Sequence, residues 1–205
     1  MTSIAQKSKG AITLKGSAEI LCEYLDFGIN SILFQRGLYP PEDFKPMENY
    51  GLTILMSQNN QIKEFLSVTL SQLKDWLVKR IVDKVALVIT NVNSFEVMER
   101  WDFKVEYEGD SNQDGGQTSD KPLKQIKHEI RDVLKQIASS VAYLPLLDCL
   151  CAFDIQIYMK DDVNLPKDWS DTDAAHVKNA QTVKMRSFST NIHRMDTCVT
   201  YKNED

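Results

Sequence analysis

The sequence predicts an α+β fold, with helices segregated from an antiparallel sheet. Three observations carry this: three long stretches with apolar residues at helical spacing, two strand-like stretches joined by a short turn, and a return to β character at the C-terminal end. A chain of 205 residues fits one domain and is long enough to bury a real core.

Residues 1–11 are polar and read as a flexible arm, without the apolar stretch of a signal peptide. Helical periodicity begins after Gly16-Ser17, with Ser17 expected as the N-cap. Ile20, Leu21, Tyr24, Leu25, Gly28, Ile29, Ile32 and Leu33 form one apolar face; Arg36, Gly37 and the pair Pro40-Pro41 stop it. Residues 38–59 hold three prolines and read as irregular. A second helix is expected over about 60–80, with Ile62, Phe65, Leu66, Thr69, Leu70, Leu73, Trp76 and Leu77 on its apolar face. Val85 to Ile89 is a continuous β-rich run, the pattern of a strand buried on both faces. After turn residues Asn91 to Ser94, Val97, Trp101, Phe103, Val105 and Tyr107 fall on one side of a period-two pattern, which predicts a hairpin.

Residues 109–121 are polar and Gly-rich and read as a mobile loop. Pro122 opens a third helix with Leu123, Ile126, Ile130, Val133, Leu134, Ile137 and Val141 on its face, expected to be the central core helix. Cys151, Phe153, Ile155 and Ile157 alternate with Asp154, Gln156 and Tyr158, which predicts another strand. A loop over 160–179 holds Pro166 and Trp169, and the tail returns with one strand over about 183–192 and another over 198–201.

The composition excludes several functions. Net charge is −5 and the pI is near 5.3, against a nucleic-acid binder, which needs a basic stripe, and against docking on an anionic membrane. No segment approaches the roughly 18 consecutive apolar residues of a membrane span. Four scattered cysteines, Cys22, Cys149, Cys151 and Cys198, fit a reducing compartment. Cys149 and Cys151 share a strand face but have no second pair at metal-site spacing, so they read as small buried side chains. His193 with Cys198 or Asp196 lacks a nucleophile elbow or oxyanion site. Asp161, Asp162, Asp168, Asp171 and Asp173 lack calcium-loop spacing and read as a solvated loop. No phosphate-binding glycine loop is present. Trp76 and Trp101 fit core faces, whereas Trp169 lies in an acidic loop and marks either a core anchor or a contact. The balance favours a binding protein over an enzyme, with no cofactor and no metal. A β-forming tail after a long polar loop can pair with a sheet edge, leave it, or close over something.

Several segments resemble the HORMA domain family: Ile12 to Ile20 (ITLKGSAEI), Phe27 to Pro40 (FGINSILFQRGLYP), Gln72 to Leu77 (QLKDWL) and Glu99 to Phe103 (ERWDF). Leu144 to Leu147 (LPLL) and Arg186 to His193 (RSFSTNIH) extend the match into the tail and point to the family's spindle-checkpoint branch. The resemblance covers about residues 11–203. It implies a HORMA fold, an antiparallel sheet with three helices on one side, as a single domain over 12–203. Residues 160–205 would be a mobile, β-forming safety belt. It implies a non-enzymatic switch between open and closed forms, in which the closed belt traps a short peptide against a sheet edge. The implied partners are a kinetochore coiled-coil checkpoint protein and the activator of the anaphase-promoting complex, whose capture inhibits the ubiquitin ligase and delays anaphase. Open copies would associate with closed copies, and an AAA+ remodeller with its adaptor would act on the chain. Nucleus, kinetochore and cytoplasm are the implied locations. Residue by residue, the peptide-binding positions are Trp76, Ala152, Phe153, Ile155, Ile157, Tyr158 and Tyr201; the dimer positions are Lys135, Gln136, Tyr143 and Arg186. Lys135 stands where the family commonly has Arg, which keeps the charge and loses the planar fork. Leu14 matches a position near the N-terminal arm. The alternative within the same family is a constitutive adaptor, as in translesion synthesis or meiotic axes.

Overall fold

A computed structural model describes residues 10–109, 117–160, 166–167 and 169–203. Most of the arm (1–9), the middle of the 109–121 loop, and Asp161, Asp162 and Asp168 lie outside the described residues. In chain order the elements are β1 (Ile12–Thr13), α1 (Leu14–Gln35), β2 (Phe44–Asn49), β3 (Leu52–Ser57), α2 (Asn60–Val78), β4 (Val82–Asn91), β5 (Val97–Tyr107), β6 (Thr118–Ser119), α3 (Leu123–Ser139), β7 (Cys151–Met159), β8 (Ala180–Lys184), β9 (Phe188–Ser189) and β10 (His193–Lys202).

The main sheet runs β7-β4-β5-β10-β8, with β9 also paired to β10. Its pairings are antiparallel. The predicted hairpin is β4 and β5, in register Val85↔Phe103 and Leu87↔Trp101. That register puts Val85, Leu87, Ile89, Trp101 and Phe103 on one face, where they join Met195 and Val199 of β10 in the core. Ala86 and Val88, on the other face of β4, are buried too, as the continuous apolar run requires.

The three helices cover the core face. α1 is the most deeply set of them, with Leu21, Tyr24, Leu25, Ile29, Ile32 and Leu33 at 0% exposure. The expectation that the third helix would be central is therefore corrected. α3 buries only one stripe, Ile126, Ile130, Val133, Leu134 and Ile137, and shows its charged side to solvent. The N-cap of α1 is also corrected. Thr13, not Ser17, caps the helix through Gly16 N to Thr13 Oγ1 at 3.1 Å. Ser17 is buried one turn later and spends its hydroxyl on a distant partner. Gly37 ends the helix as expected: at φ +63° its N–H reaches Phe34 O, and Leu38 N reaches Leu33 O, both at 3.1 Å. α2 ends the same way, with Arg80 in the left-handed position (φ 61°).

Residues 38–59 are not irregular throughout. They contain the hairpin β2–β3, turned by Tyr50 (φ 53°) and Gly51 (φ 68°). Pro46 is tolerated because β2 pairs on one side only. The tail also differs from expectation. Strand character stops at Lys184, resumes briefly at β9, and then runs unbroken for ten residues in β10.

One ion pair ties these layers together. Arg36, at the end of α1, donates through Nε to Glu99 Oε1 at 2.8 Å and through Nη2 at 2.5 Å, with both side chains 2% exposed. Glu99 Oε2 also accepts from Trp101 Nε1 at 3.1 Å, and Arg36 Nη2 bonds the Pro145 carbonyl in the connection that leads into β7. Removing one partner leaves a buried charge unpaired, so Arg36→Ala should cost about 3–5 kcal/mol in urea unfolding. A loss below about 1 kcal/mol would show that water reaches the pair.

Candidate functional site: the outer edge of β7

The site forms where one sheet edge meets one helix and the chain segment that follows. β7 pairs with β4 on one side, and among the described residues no strand pairs with its other side. The phase of the ladder fixes which main-chain groups face outward. Val92 N donates to Leu150 O at 2.9 Å, one step beyond the Asn91↔Cys151 pair. Bonded and non-bonded pairs alternate in an antiparallel ladder. Ala152, Asp154 and Gln156 therefore bond β4, and Phe153, Ile155 and Ile157 present N–H and C=O to the free edge. The Ile155 N–H is met there by its neighbour's Asp154 Oδ1 at 2.8 Å, as that phase requires.

A groove of about 500 Å³ lies along this edge. One wall is α2, through Glu64, Phe65, Val68 and Thr69; the floor is Asp154, Ile155 and Gln156; the far wall is Trp169, Ser170 and Thr172. Phe65 and Val68 are exposed apolar side chains, 39% and 61%, beside a strand whose outward main-chain groups pair with no other strand among the described residues. Phe65 also packs edge-to-face on Phe153. Trp169 packs edge-to-face on Trp76 at 4.9 Å between ring centroids, so it both anchors to the core and lines the groove.

Beyond Trp169 the chain forms a strap over the outer face of the sheet. Gln156 on β7 donates to Asp173 O and accepts from Ala175 N, each at 3.2 Å, and Arg100 on β5 donates to Ala175 O at 2.5 Å. The chain then enters β8, and β10 lies between β8 and β5. The tail thus occupies the β5 side of the sheet, the side away from β7.

The tail is seated in the core. Phe188, Met195 and Val199 are buried, and Phe188 packs on Tyr24. Tyr24 Oη bonds Thr197 Oγ1 at 2.8 Å, and Ser17 Oγ lies 2.6 Å from both Thr190 Oγ1 and His193 Nδ1. Burial pushes His193 down to about 4, and the charges of Arg80 and Lys160 add to it.

Of the expected peptide-binding residues, Ala152, Phe153, Ile155, Ile157 and Tyr158 lie together on β7. Trp76 sits beneath Trp169, 2% exposed. Tyr201 does not join them. It is on β10, opposite Glu99 and hydrogen-bonded to Gln181 at 2.9 Å, with β5 and β4 between it and β7. Of the expected dimer residues, Gln136 accepts from Arg186 N at 2.6 Å, and Arg186 pairs with Asp132 at 2.7 Å; Lys135 and Tyr143 are exposed. Leu14 is the first residue of α1. Sequence reasoning missed the α2 wall and the strap contacts of Arg100 and Gln156. Val68, an apolar residue off the buried stripe of its helix, was the available signal. The sulfurs of Cys149 and Cys151 lie 3.5 Å apart as free thiols, and burial, then Cys149 and Glu99, push Cys151 up to about 12. Among the described residues no group of His, Cys, Asp or Glu is placed to hold a metal ion, and no helix is long and apolar enough to cross a membrane.

This architecture is that of the HORMA domain, whose family model matches residues 17–193, and the chain belongs to that family. Its relatives lie in the spindle-assembly-checkpoint branch. It is 44% identical to the human mitotic spindle assembly checkpoint protein MAD2A over 93% of each chain. It is 44% identical to the Dictyostelium discoideum protein of the same name over 97% of each. It also superposes on a chain from the crystal structure of the mitotic checkpoint complex with a TM-score of 0.82 and 36% identity, covering 92% of this chain and 99% of that one. The branch is one of spindle-checkpoint proteins that act by binding other proteins.

The buried neutral His193 makes the seated tail sensitive to acid. Its folded value lies below the ordinary 6.5, so below that pH the unfolded chain takes up a proton that the folded chain refuses until about 4. Stability should be full above pH 6.5 and fall as pH drops toward 4. Between pH 7 and 5 the His193 contribution should fall by about 2 kcal/mol. Urea unfolding at the two pH values would measure it, and a His193→Gln variant with the same drop would assign it elsewhere.

Proposed function

We propose that the chain is a conformational switch of the spindle assembly checkpoint that acts without catalysis, trapping a short extended peptide between β7 and the strap. The observation that carries this is the division of the sheet's edges: the tail takes the β5 side, and β7 keeps outward main-chain groups beside an apolar groove. A peptide added there gains main-chain hydrogen bonds from Phe153, Ile155 and Ile157, while its side chains meet Phe65, Val68 and Trp169. Tail on β5 and strap over the sheet correspond to the closed form. In that form residues 12–203 act as a single HORMA domain, with 160–205 as the safety belt.

The partners are peptides of the kinetochore coiled-coil checkpoint protein and of the anaphase-promoting-complex activator. Holding the activator delays anaphase. The place of action is the kinetochore, with pools in nucleus and cytoplasm; nucleic acid and membrane are not partners. Lys135, Gln136, Tyr143 and Arg186 form the surface on which an open copy docks, and an AAA+ remodeller with its adaptor reopens closed copies. The Arg186–Gln136 and Arg186–Asp132 contacts support a preformed surface joining α3 to the tail.

The deciding experiment follows release of a labelled peptide carrying a basic residue, two or three aliphatics and a downstream proline. The full chain should release it slowly, because the strap must open first. A chain ending at Met195 should capture none, and equal binding by both chains would reduce the reading to a generic edge adaptor. Strand pairing makes a second prediction. Methylating the peptide's main-chain nitrogens one at a time should abolish capture at every second position of the paired stretch and leave the positions between within about threefold. Uniform tolerance would rule out pairing with β7.

A further inference from the structure

The strap crosses a sheet face on which it pairs as no strand, so something else must hold it down. Its described hydrogen bonds with that face fall on two residues, Asp173, whose carbonyl accepts from Gln156 Nε2 at 3.2 Å, and Ala175, which is held on both sides. Ala175 N–H is taken by Gln156 Oε1 at 3.2 Å and Ala175 C=O by Arg100 Nη1 at 2.5 Å, so both main-chain groups of a single residue are gripped from two different strands.

The grips are themselves braced. Arg100 donates from Nε and Nη2 to Asp102 Oδ2 at 3.0 and 2.9 Å, which fixes the guanidinium plane and leaves Nη1 for the strap. Lys84 on β4 stands 3.2 Å from the other Asp102 oxygen and 4.0 Å from the centroid of the Tyr158 ring. Tyr158 Oη donates to Gln156 Oε1 at 3.2 Å. The contacts thus close a ring through β7, β5 and β4 with Ala175 as its one member from the strap. The side chains of Arg100 and Asp102 are 19% and 10% exposed, and Lys84 is 20% exposed, so solvent screens the ring only in part.

We propose that this ring is the clasp of the strap, with Arg100 and Gln156 as the positioning residues that set how fast the strap lifts. Gln156 also lines the groove, so an occupant of the groove touches one of the two grips directly. The clasp is a property of the folded chain alone; only its effect on peptide release rests on the peptide-capture reading above. Because its members are polar and on the sheet's outer face, it opens without disturbing the core packing of α1 or β10. A charge-assisted hydrogen bond of this kind is worth about a tenfold to hundredfold change in an opening equilibrium.

The test uses the full chain with Arg100→Gln and Arg100→Lys, read by amide hydrogen exchange without peptide and by release of the labelled peptide described above. Arg100→Gln should raise exchange across residues 173–177 about tenfold or more while amides of α1 and β4 stay as in the wild type. Arg100→Lys, which keeps the charge and loses the fork, should fall between. Peptide release should accelerate in the same order. Unchanged exchange at 173–177 would overturn the clasp, and so would exchange raised throughout the sheet, since Arg100 would then be holding the fold. If the wild type captured no peptide, the capture reading would fall, and the exchange data would still decide the clasp.

Discussion

The buried pair Arg36–Glu99 is the constraint on which the rest of the arrangement depends. It joins the end of the most buried helix to the middle strand of the sheet, and through the Pro145 carbonyl it pins the connection that delivers β7. Such a pair stabilises little in net terms, because taking both charges out of water costs several kcal/mol each. Its effect is geometric. With Trp101 Nε1 on the same carboxylate, Glu99 has its acceptors filled, and α1, β5 and the Pro145 segment can meet in only one register. That register decides which residues of β7 face outward, since β7 takes its alignment from β4 and β4 takes its own from β5.

The two faces of the sheet then carry different work. The inner face is closed by apolar packing, roughly 1.5–3 kcal/mol for each large side chain buried. The outer face is partly covered by the strap, and what it offers the strap is hydrogen-bonding side chains. A strand added at β7 lies between these regimes. It meets main-chain groups at the edge, apolar side chains from α2, and the indole of Trp169 from the strap. Trp169 couples the regimes, since its other contact is Trp76 in the core.

How much of this was legible follows from the kind of signal each part leaves. β5 and β7 were readable because half their residues face a continuous core and repeat every second position, and β4 because its apolar run is unbroken. Glu99 falls on the apolar side of that repeat, and a carboxylate there was the sign of a buried partner. The β2–β3 hairpin was not readable: its turn uses Tyr50 where Asn or Asp is the usual signal, and Pro46 argues against a strand until one knows that β2 pairs on one side only. Ser17 had the local context of a cap, but its hydroxyl is drawn to Thr190 and His193, more than 170 positions away, which no local pattern reports. The groove was half legible. Its strand announced itself, whereas Arg100 and Gln156 occupy polar positions of regular alternations and look like solvated side chains. Only the return of the chain across that face gives them partners.

The same contrast separates two motions that a single word such as opening would merge. Lifting the strap from Trp169 to Ala175 breaks hydrogen bonds on the outer face and one aromatic contact. Removing β10 from β5 also exposes Phe188, Met195 and Val199, strips a ladder running from His193↔Tyr107 to Tyr201↔Glu99, and leaves Ser17 and Tyr24 without their tail partners. Each buried side chain alone is comparable to a whole polar grip. Local openings in one protein span a wide range of free energy, and the cheaper ones occur without the dearer. The strap can therefore lift from the sheet while the tail stays seated. Displacement of the tail from β5 belongs to a different and much slower class of event, because it reopens part of the core.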